Sequence, residues 1–319
     1  MSSLRATAWR ANIVLYAALA ANIGIAVAKF IAAAISGSSS MLTEGVHSLV
    51  DSGNQVLLLF GQSRANRPPD AKRPFGYGRE IYFWSFVVAI LIFALGAGVS
   101  IFEGWSHYVA PEPLRSPTMN YIVLAVAFAM EGVSWCVAVR EFGATKGDDG
   151  WWTAIRRSKD PATFTILFED SAALVGLAIA AIGIYVSHAL GDPRIDGIAS
   201  MLIGGVLAGV AVLLAREAMG LLIGEAASPE VVAAIRAVVD GFPQIVAVNH
   251  VRTIHTAPDS IFVAVSADFD DAVTMGEGEA LIERIETALK RRLPQLASIY
   301  IRPESADRAA IVMPVGTND

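Results

Sequence analysis

The chain has 319 residues, of which 54% are hydrophobic and only 17% are charged, and its formal net charge is −6. Soluble domains carry about 25% charged residues, so this composition predicts an integral membrane protein. A single cysteine, Cys136, excludes both a disulfide framework within the chain and a thiolate metal cluster. The net negative charge falls in residues 225–319, which argues against a nucleic acid as a partner.

Six apolar segments are each long enough to cross the hydrocarbon core of a bilayer, which takes about 20 residues. Short polar connections separate them, and one connection, RANRPPDAKRPFGYGRE, contains three prolines. The sequence therefore predicts an α-helical membrane protein whose residues 1–223 form a transport domain of six transmembrane helices. The predicted spans cover roughly residues 11–35, 39–62, 80–107, 118–140, 162–187 and 196–222.

Basic residues predict how these helices are oriented. Twelve lysines and arginines lie in the N-terminal lead, the second connection and the fourth, whereas the connections on the other side contain only Arg115 and Arg194. Because basic loops stay on the cytoplasmic side, both termini are expected in the cytoplasm. The N-terminus lacks a small-residue cleavage site, so it is interpreted as a lead into the first span and not as a removed signal peptide.

After residue 223 the pattern changes to that of a soluble domain. Ser228 and Pro229 are typical of a helix start, and VVAAIRAVVD continues as a helix that ends at Gly241. Two alternating strands, an amphipathic helix and a third strand follow. Residues 224–319 are therefore predicted to form a cytoplasmic αββαβ domain with its helices on one sheet face. A domain this small is expected to gain stability by dimerisation.

The second predicted span carries a stripe of polar side chains. Glu44, His47, Asp51 and Asn54 are spaced by three, four and three residues, so they share one face of a helix. A seam that hydrogen-bonds to neighbouring helices is one interpretation. A transport path is the favoured one, because ionisable groups inside a membrane are costly and normally face a bundle interior or a water-filled path.

The fifth predicted span contributes two adjacent carboxylates, Glu169 and Asp170. Adjacent helical residues point about 100° apart, so both cannot face one site equally. Asp170 lies well inside the span, whereas Glu169 has the alternative of a position near water. An imidazole and carboxylates on two helices together predict a divalent-cation site within the membrane.

Four features occur together in this chain: HSLVD in the second span, RPFGYGRE in the next connection, the aspartate of the fifth span and the layout of six spans and a tail. In these features the chain resembles the cation diffusion facilitator family of zinc-type transporters. HSLVDSGNQ and LFEDSAALVG are most similar to the branch that includes zinc transporter 9. The resemblance covers nearly the whole chain and is more specific in the second span than in the tail.

The resemblance implies a tetrahedral metal site made by two residue pairs. One is a His/Asp-x-x-x-Asp pair on the second span, and the other is a His-x-x-x-Asp pair on the fifth. His47 and Asp51 fill the first pair, and Asp170 fills the last place. The remaining position is Ile166, which cannot bind a metal, so this sequence departs from the family pattern there.

Three alternatives are open for the fourth ligand of that site. Glu169 can replace the histidine through a local twist of the helix, Asn54 can contribute from the second span, or water can complete the shell. An oxygen-richer site is less selective for zinc and better suited to Mn²⁺, Fe²⁺ or Co²⁺.

The implied function is export of divalent cations, zinc first, from the cytoplasm by alternating access. Ligands must be deprotonated to bind a metal, so protons compete with the cation and a proton gradient can drive export. The expected partners are the cation, protons, the lipid bilayer and a second copy of the chain in a homodimer, with no resident cofactor. The expected location is the inner membrane of a bacterium. A passive cation channel is the alternative, and an enzyme is not expected, because HExxH and GxSxG are absent.

Overall fold

The structure of the chain is a computed structural model that describes residue 19 and residues 22–111, 117–147 and 150–312. The predicted basic lead and the start of the first predicted span lie outside the described residues. The chain divides into two compact units. A membrane unit comprises the described residues up to Arg64 together with Glu80–Met219, and a second unit comprises Ala65–Arg79 and the residues from Gly220 onward.

The membrane unit is built from helices alone among its described residues. A helix of 30 residues forms the third predicted span, and six residues of π-helix, Ile92–Ala97, interrupt it. A short helix occupies part of the fourth connection, where the sequence predicted a loop. The helices are α1 (Asn22–Ser36), α2 (Ser39–Ala65), α3 (Glu80–Leu91), α4 (Gly98–Val109), α5 (Pro117–Thr145), α6 (Trp151–Arg157), α7 (Pro161–Leu190) and α8 (Arg194–Ile223).

Four helices are long and apolar enough to cross a membrane by length and composition. They are Glu80–Val109, Thr118–Ala144, Phe164–Leu190 and Arg194–Ile223. The described part of α1 is apolar but short, and α2 has the length of a span but carries the polar stripe. The helical membrane fold is thus confirmed with four such helices, whereas the full set of six spans stays a prediction.

Apolar side chains cover the outside of this unit. On α5, Ile122, Val126, Val133 and Val137 are all exposed. Contiguous exposed apolar surface of this extent is rare on soluble proteins and is typical of a surface that contacts lipid or a partner. The exposed face therefore fits a helix that lies in a bilayer.

The turn between α1 and α2 is fixed by backbone geometry and by a buried carboxylate. Gly37 ends α1 with φ of 67°, a conformation that side chains disfavour. Ser38 caps α2, because its Oγ accepts a hydrogen bond from the Met41 amide at 3.2 Å. Asp196, near the start of α8, accepts hydrogen bonds from Ser38 Oγ at 3.0 Å and from the Ser40 amide at 3.2 Å. This end of the membrane unit is therefore tied together across three helices.

Glycines bring α4 and α8 into backbone contact. A Cβ atom on Gly104 would lie 2.6 Å from the carbonyl oxygen of Gly197, and one on Gly197 would lie 2.7 Å from that of Gly104. About two turns further along α8, a Cβ atom on Gly204 would lie 3.1 Å from the carbonyl oxygen of Ala97. Small residues let transmembrane helices approach this closely, and no larger side chain fits at these positions.

The second unit has the predicted αββαβ order, followed by one more helix. The strands form a single sheet of order β1-β2-β3, in which β1 pairs antiparallel with β2 and β2 pairs parallel with β3. Ser228 caps the first helix, because its Oγ accepts a hydrogen bond from the Val231 amide. The elements are α9 (Pro229–Asp240), β1 (Ile245–Ala257), β2 (Ser260–Phe269), α10 (Met275–Arg292), β3 (Leu296–Pro303) and α11 (Ala306–Val312).

One apolar core holds this small domain together. Ile235 and Val239 of α9 and Leu281, Ile285 and Leu289 of α10 are buried against the sheet. Their spacing of three and four residues places each set on one face of its helix. The N-terminus of α10 is closed by a capping box between Thr274 and Glu277.

Candidate metal centre

The polar face of α2 is buried in the membrane unit. Glu44, His47 and Asn54 are all inaccessible or nearly so, and the Asp51 side chain is 14% exposed. Small polar residues share the buried side, and Ser52 Oγ donates to the Ser48 carbonyl oxygen at 2.9 Å. The spacing of the stripe therefore predicted correctly which side of α2 faces the interior.

His47 and Asp51 lie one helical turn apart and face each other. His47 Nδ1 is 3.4 Å from Asp51 Oδ1. Neither ring nitrogen of His47 makes a hydrogen bond to any other described residue. A buried imidazole with free nitrogens beside a carboxylate has the donors that a divalent cation binds.

Glu169 turns toward α2. Its Oε1 accepts a hydrogen bond from Asn54 Nδ2, so two residues predicted as candidates for the fourth ligand contact each other. Asn54 Oδ1 has no hydrogen-bond partner among the residues described. The alternative interpretation of Glu169, a position near water, does not agree with the structure, because the side chain is buried.

Asp170 turns toward α5 instead. Its Oδ2 accepts a hydrogen bond from Ser134 Oγ at 2.8 Å. Glu131 of α5 lies close enough to Asp51 and Asp170 to interact with both electrostatically. Carboxyl groups of α2, α5 and α7 therefore lie in one region of the membrane unit.

The predicted ligands are near one another but are not arranged as one coordination shell. Within the described ranges, no three His, Cys, Asp or Glu side chains are placed to hold a single metal ion. Ile166, which occupies the family's histidine position, is 38% exposed and so points at least partly out of the bundle. The ligand set of His47, Asp51, Asp170, Glu169 and Asn54 therefore stays a prediction.

A buried lysine beside this region was missed by the sequence reasoning. Lys29 of α1 is fully buried, and its Nζ lies 3.0 Å from Glu44 Oε2 and 2.7 Å from Ser48 Oγ. The signal was available, because Lys29 is an ionisable residue in the middle of the apolar run IGIAVAKFIAAAI.

Comparison with protein families decides what this helical unit is. Residues 15–223 match the family model of the cation efflux transmembrane domain. The chain belongs to the cation efflux family. Residues 227–306 match a second model, that of the cytoplasmic domain of cation efflux proteins. The predicted resemblance to cation diffusion facilitators is thereby confirmed, and so is the prediction that the chain is not an enzyme, because the family consists of cation transporters.

The names of several relatives refer to zinc, to metals or to cations. The human proton-coupled zinc antiporter SLC30A9, mitochondrial, is 32% identical over 247 residues, which are 77% of this chain and 44% of the relative. Metal tolerance protein C4 of Arabidopsis thaliana is 35% identical over 193 residues, 60% of this chain and 42% of the relative. The cation-efflux pump FieF of Serratia proteamaculans is 26% identical over 272 residues, 83% of each chain.

The chain spans less than half the length of the first two relatives. The match to SLC30A9 agrees with the predicted likeness to the zinc transporter 9 branch of the cation efflux family. The match to FieF covers most of both chains.

Proposed function

We propose that the chain is a proton-coupled exporter of divalent metal cations, with zinc as its main substrate. In this proposal it acts as a homodimer in the inner membrane of a bacterium, with six membrane spans and both termini in the cytoplasm. The observation that carries the proposal is the buried His47–Asp51 pair, at 3.4 Å, inside a helical unit of the cation efflux family.

The proposed site is formed by side chains of α2 and α7. His47, Asp51 and Asp170 bind the cation, and Glu169 or Asn54 completes the shell. Because Asp170 Oδ2 is hydrogen-bonded to Ser134, bringing Asp170 to the cation requires either a new rotamer of its side chain or a turn of α7 relative to α5. Rotation of packed helices about a site is also what alternating access requires.

Proton coupling follows from the chemistry of these ligands. A carboxylic acid or an imidazolium must lose its proton before it binds a metal, so cation binding releases protons and proton binding releases the cation. A proton gradient across the membrane thereby provides the driving force for export. The names of the SLC30A9 relatives, proton-coupled zinc antiporters, support the same coupling.

Zinc is proposed first, although the donors around Asp51 are rich in oxygen. Glu131, Glu169 and Asp170 all lie in electrostatic range of Asp51. Oxygen donors suit Mn²⁺ and related cations better than they suit zinc, whereas His47 favours zinc. Competition between Zn²⁺ and Mn²⁺ for transport therefore tests whether the imidazole or the oxygen donors dominate the preference of the site.

Transport by the purified full chain in proteoliposomes tests the proposal. Vesicles with an imposed pH gradient are expected to accumulate zinc, and collapse of the gradient with a protonophore is expected to stop accumulation. Asp51→Asn should abolish uptake, while the exposed Asp271→Asn controls for expression and reconstitution. Zinc uptake by Asp51→Asn equal to that of the control would refute the proposed site, and uptake independent of pH would indicate a passive channel.

A further inference from the structure

Lys29 is an unusual residue for the interior of a membrane helix bundle. It is the single lysine or arginine that is buried within the part of the chain that the structure describes. Burying an ammonium group costs roughly several kcal/mol, and its partners offset this cost only in part. Proteins in which a buried ion pair is replaced by apolar residues are often no less stable than the original. Stability alone therefore gives no reason for a lysine at this position.

The partner of Lys29 lies on the polar face that carries the proposed ligands. Glu44 is one turn before His47 on α2, so the two side chains project on the same side. Lys29 Nζ holds Glu44 Oε2 at 3.0 Å and also donates to Ser48 Oγ at 2.7 Å. The ammonium group thus contacts α2 at two points immediately beside His47.

The second oxygen of Glu44 is free and faces α7. Glu44 Oε1 has no hydrogen-bond partner among the residues that the structure describes. A Cβ atom on Gly176 of α7 would lie 2.5 Å from this oxygen. Glu44 therefore already lies between the two helices that carry the proposed metal ligands, and the absence of a side chain at Gly176 leaves room for it.

The charge of Lys29 reaches the other groups of the region. It interacts electrostatically with His47, Asp51 and Glu131 as well as with Glu44. A positive charge at this place repels a divalent cation, and an oxygen already paired with an ammonium is a poorer metal ligand. Both effects lower the affinity of the site for the cation.

We propose that Lys29 sets the affinity of the transport site by holding Glu44 in an ion pair and so keeping this carboxylate from the coordination shell left incomplete at Ile166. Lys29 is in this view a positioning residue and not a ligand. The inference rests on the proposed metal site at His47 and Asp51. A transporter must release its cation, so a residue that withholds one ligand favours turnover over tight binding.

Calorimetric titration of the full chain in detergent with Zn²⁺ and Mn²⁺ tests the inference. Lys29→Met is expected to bind Zn²⁺ about tenfold more tightly than the unmodified chain, a change of about 1.4 kcal/mol, and to transport it more slowly. Glu44→Gln is expected to bind more weakly, because it leaves the ammonium unpaired. The double variant Lys29→Met/Glu44→Gln is expected to return to within about threefold of the unmodified affinity, or about 0.7 kcal/mol.

Conservative variants separate this role from a structural one. Lys29→Arg keeps the charge and is expected to bind zinc as the unmodified chain does. If Lys29 were needed only for packing, keeping the charge would not preserve that affinity. Lys29→Gln keeps a donor for Ser48 while it removes the charge, so it replaces Lys29→Met if that variant does not fold. Monodispersity in size-exclusion chromatography identifies folded variants.

Two results would overturn the inference. One is an affinity of Lys29→Gln or Lys29→Met that is unchanged or weaker than that of the unmodified chain. The other is a double variant that binds as tightly as Lys29→Met, since Glu44 then has no part in the effect. Asp51→Asn distinguishes failure of the Lys29 inference from failure of the proposed function. Unchanged metal binding by Asp51→Asn would show that the proposed metal site is wrong.

Discussion

The side-chain amide of Asn54 on α2 donates a hydrogen bond to the Glu169 carboxylate on α7. This contact joins the two helices that carry the proposed metal ligands, one turn beyond Asp51. It also places Glu169 rather than Asp170 toward the polar face of α2, since adjacent helical residues point about 100° apart.

Replacement of Glu169 tests whether this carboxylate belongs to the metal site. Glu169→Gln is expected to weaken zinc affinity by at least about 10- to 100-fold, the range found when residues that support metal ligands are replaced. Glu141→Gln is the matched control, because Glu141 is exposed on α5. Affinity measured by calorimetry that is equal in the two variants would place Glu169 outside the site.

Loss of the Asp196 charge is expected to destabilise the end of the membrane unit where α1, α2 and α8 meet. Asp196→Asn weakens hydrogen bonds from Ser38 and Ser40 to a buried carboxylate, and bonds to charged groups contribute about 1.5–3 kcal/mol each. Thermal unfolding of the detergent-solubilised chain should therefore shift to lower temperature. Asp192→Asn, at an exposed position of the preceding turn, is expected to leave unfolding nearly unchanged, because asparagine can also accept the hydrogen bond from the Arg194 amide. Equal shifts for the two variants would contradict the role of Asp196.

Two neighbouring glycines of α8 are expected to respond oppositely to alanine. A Cβ atom at Gly204 would lie 2.6 Å from Ile101 Cγ1 and 3.1 Å from the Ala97 carbonyl oxygen, whereas one at Gly205 would meet no atom within 4 Å. Gly204→Ala should cost about 1–3 kcal/mol of unfolding free energy through overpacking. Gly205→Ala should be neutral or stabilising, because alanine favours helix. A thermal shift assay distinguishes them, and similar values for both would contradict the close approach of α4 and α8.

The start of α10 is expected to loosen in acid. The backbone and side-chain hydrogen bonds from Thr274 hold the pKa of the Glu277 carboxyl below its ordinary value. A group with a lowered folded-state pKa stabilises the fold fully above its unfolded value, about 4.3 for Glu, and loses this effect as pH falls through the lowered value. Amide hydrogen exchange in the first turn of α10 should therefore gain protection as the pH rises through about 4.

A charge-neutral variant provides the control for this acid effect. Glu277→Gln keeps the shape of the side chain but does not titrate. After correction for intrinsic exchange rates, its first-turn protection should not change with pH over the same interval. A pH dependence that persists in Glu277→Gln would show that another group is responsible.

Elements defined by local pattern were predictable from the sequence. The buried face of α2 followed from spacings of three and four residues, and the start of α9 followed from Ser228 and Pro229. The αββαβ order followed from alternation in the strands and from the amphipathic helix. In each case the signal lies within one element, where periodicity alone determines which side chains are buried.

Relations between elements were not predictable in the same way. The ion pair of Lys29 with Glu44 needs the packing of α1 against α2, which spacing along the chain does not contain. The choice between Glu169 and Asp170 depends on the rotation of α7 about its axis, and both residues are compatible with the same pattern. The π-helical stretch Ile92–Ala97 is an apolar run that no local residue type distinguishes from ordinary helix.

The backbone contact of α4 with α8 makes this helix pair a fixed reference within the membrane unit. Gly104 of α4 and Gly197 of α8 contact each other through backbone atoms, so the backbone itself sets the distance between the two helices there. Paired spin labels with one member on α4 or α8 and the other on α2 or α7 would therefore report displacement of the site helices alone. A label pair with one member on α4 and the other on α8 should keep a constant distance and would serve as the reference for that measurement.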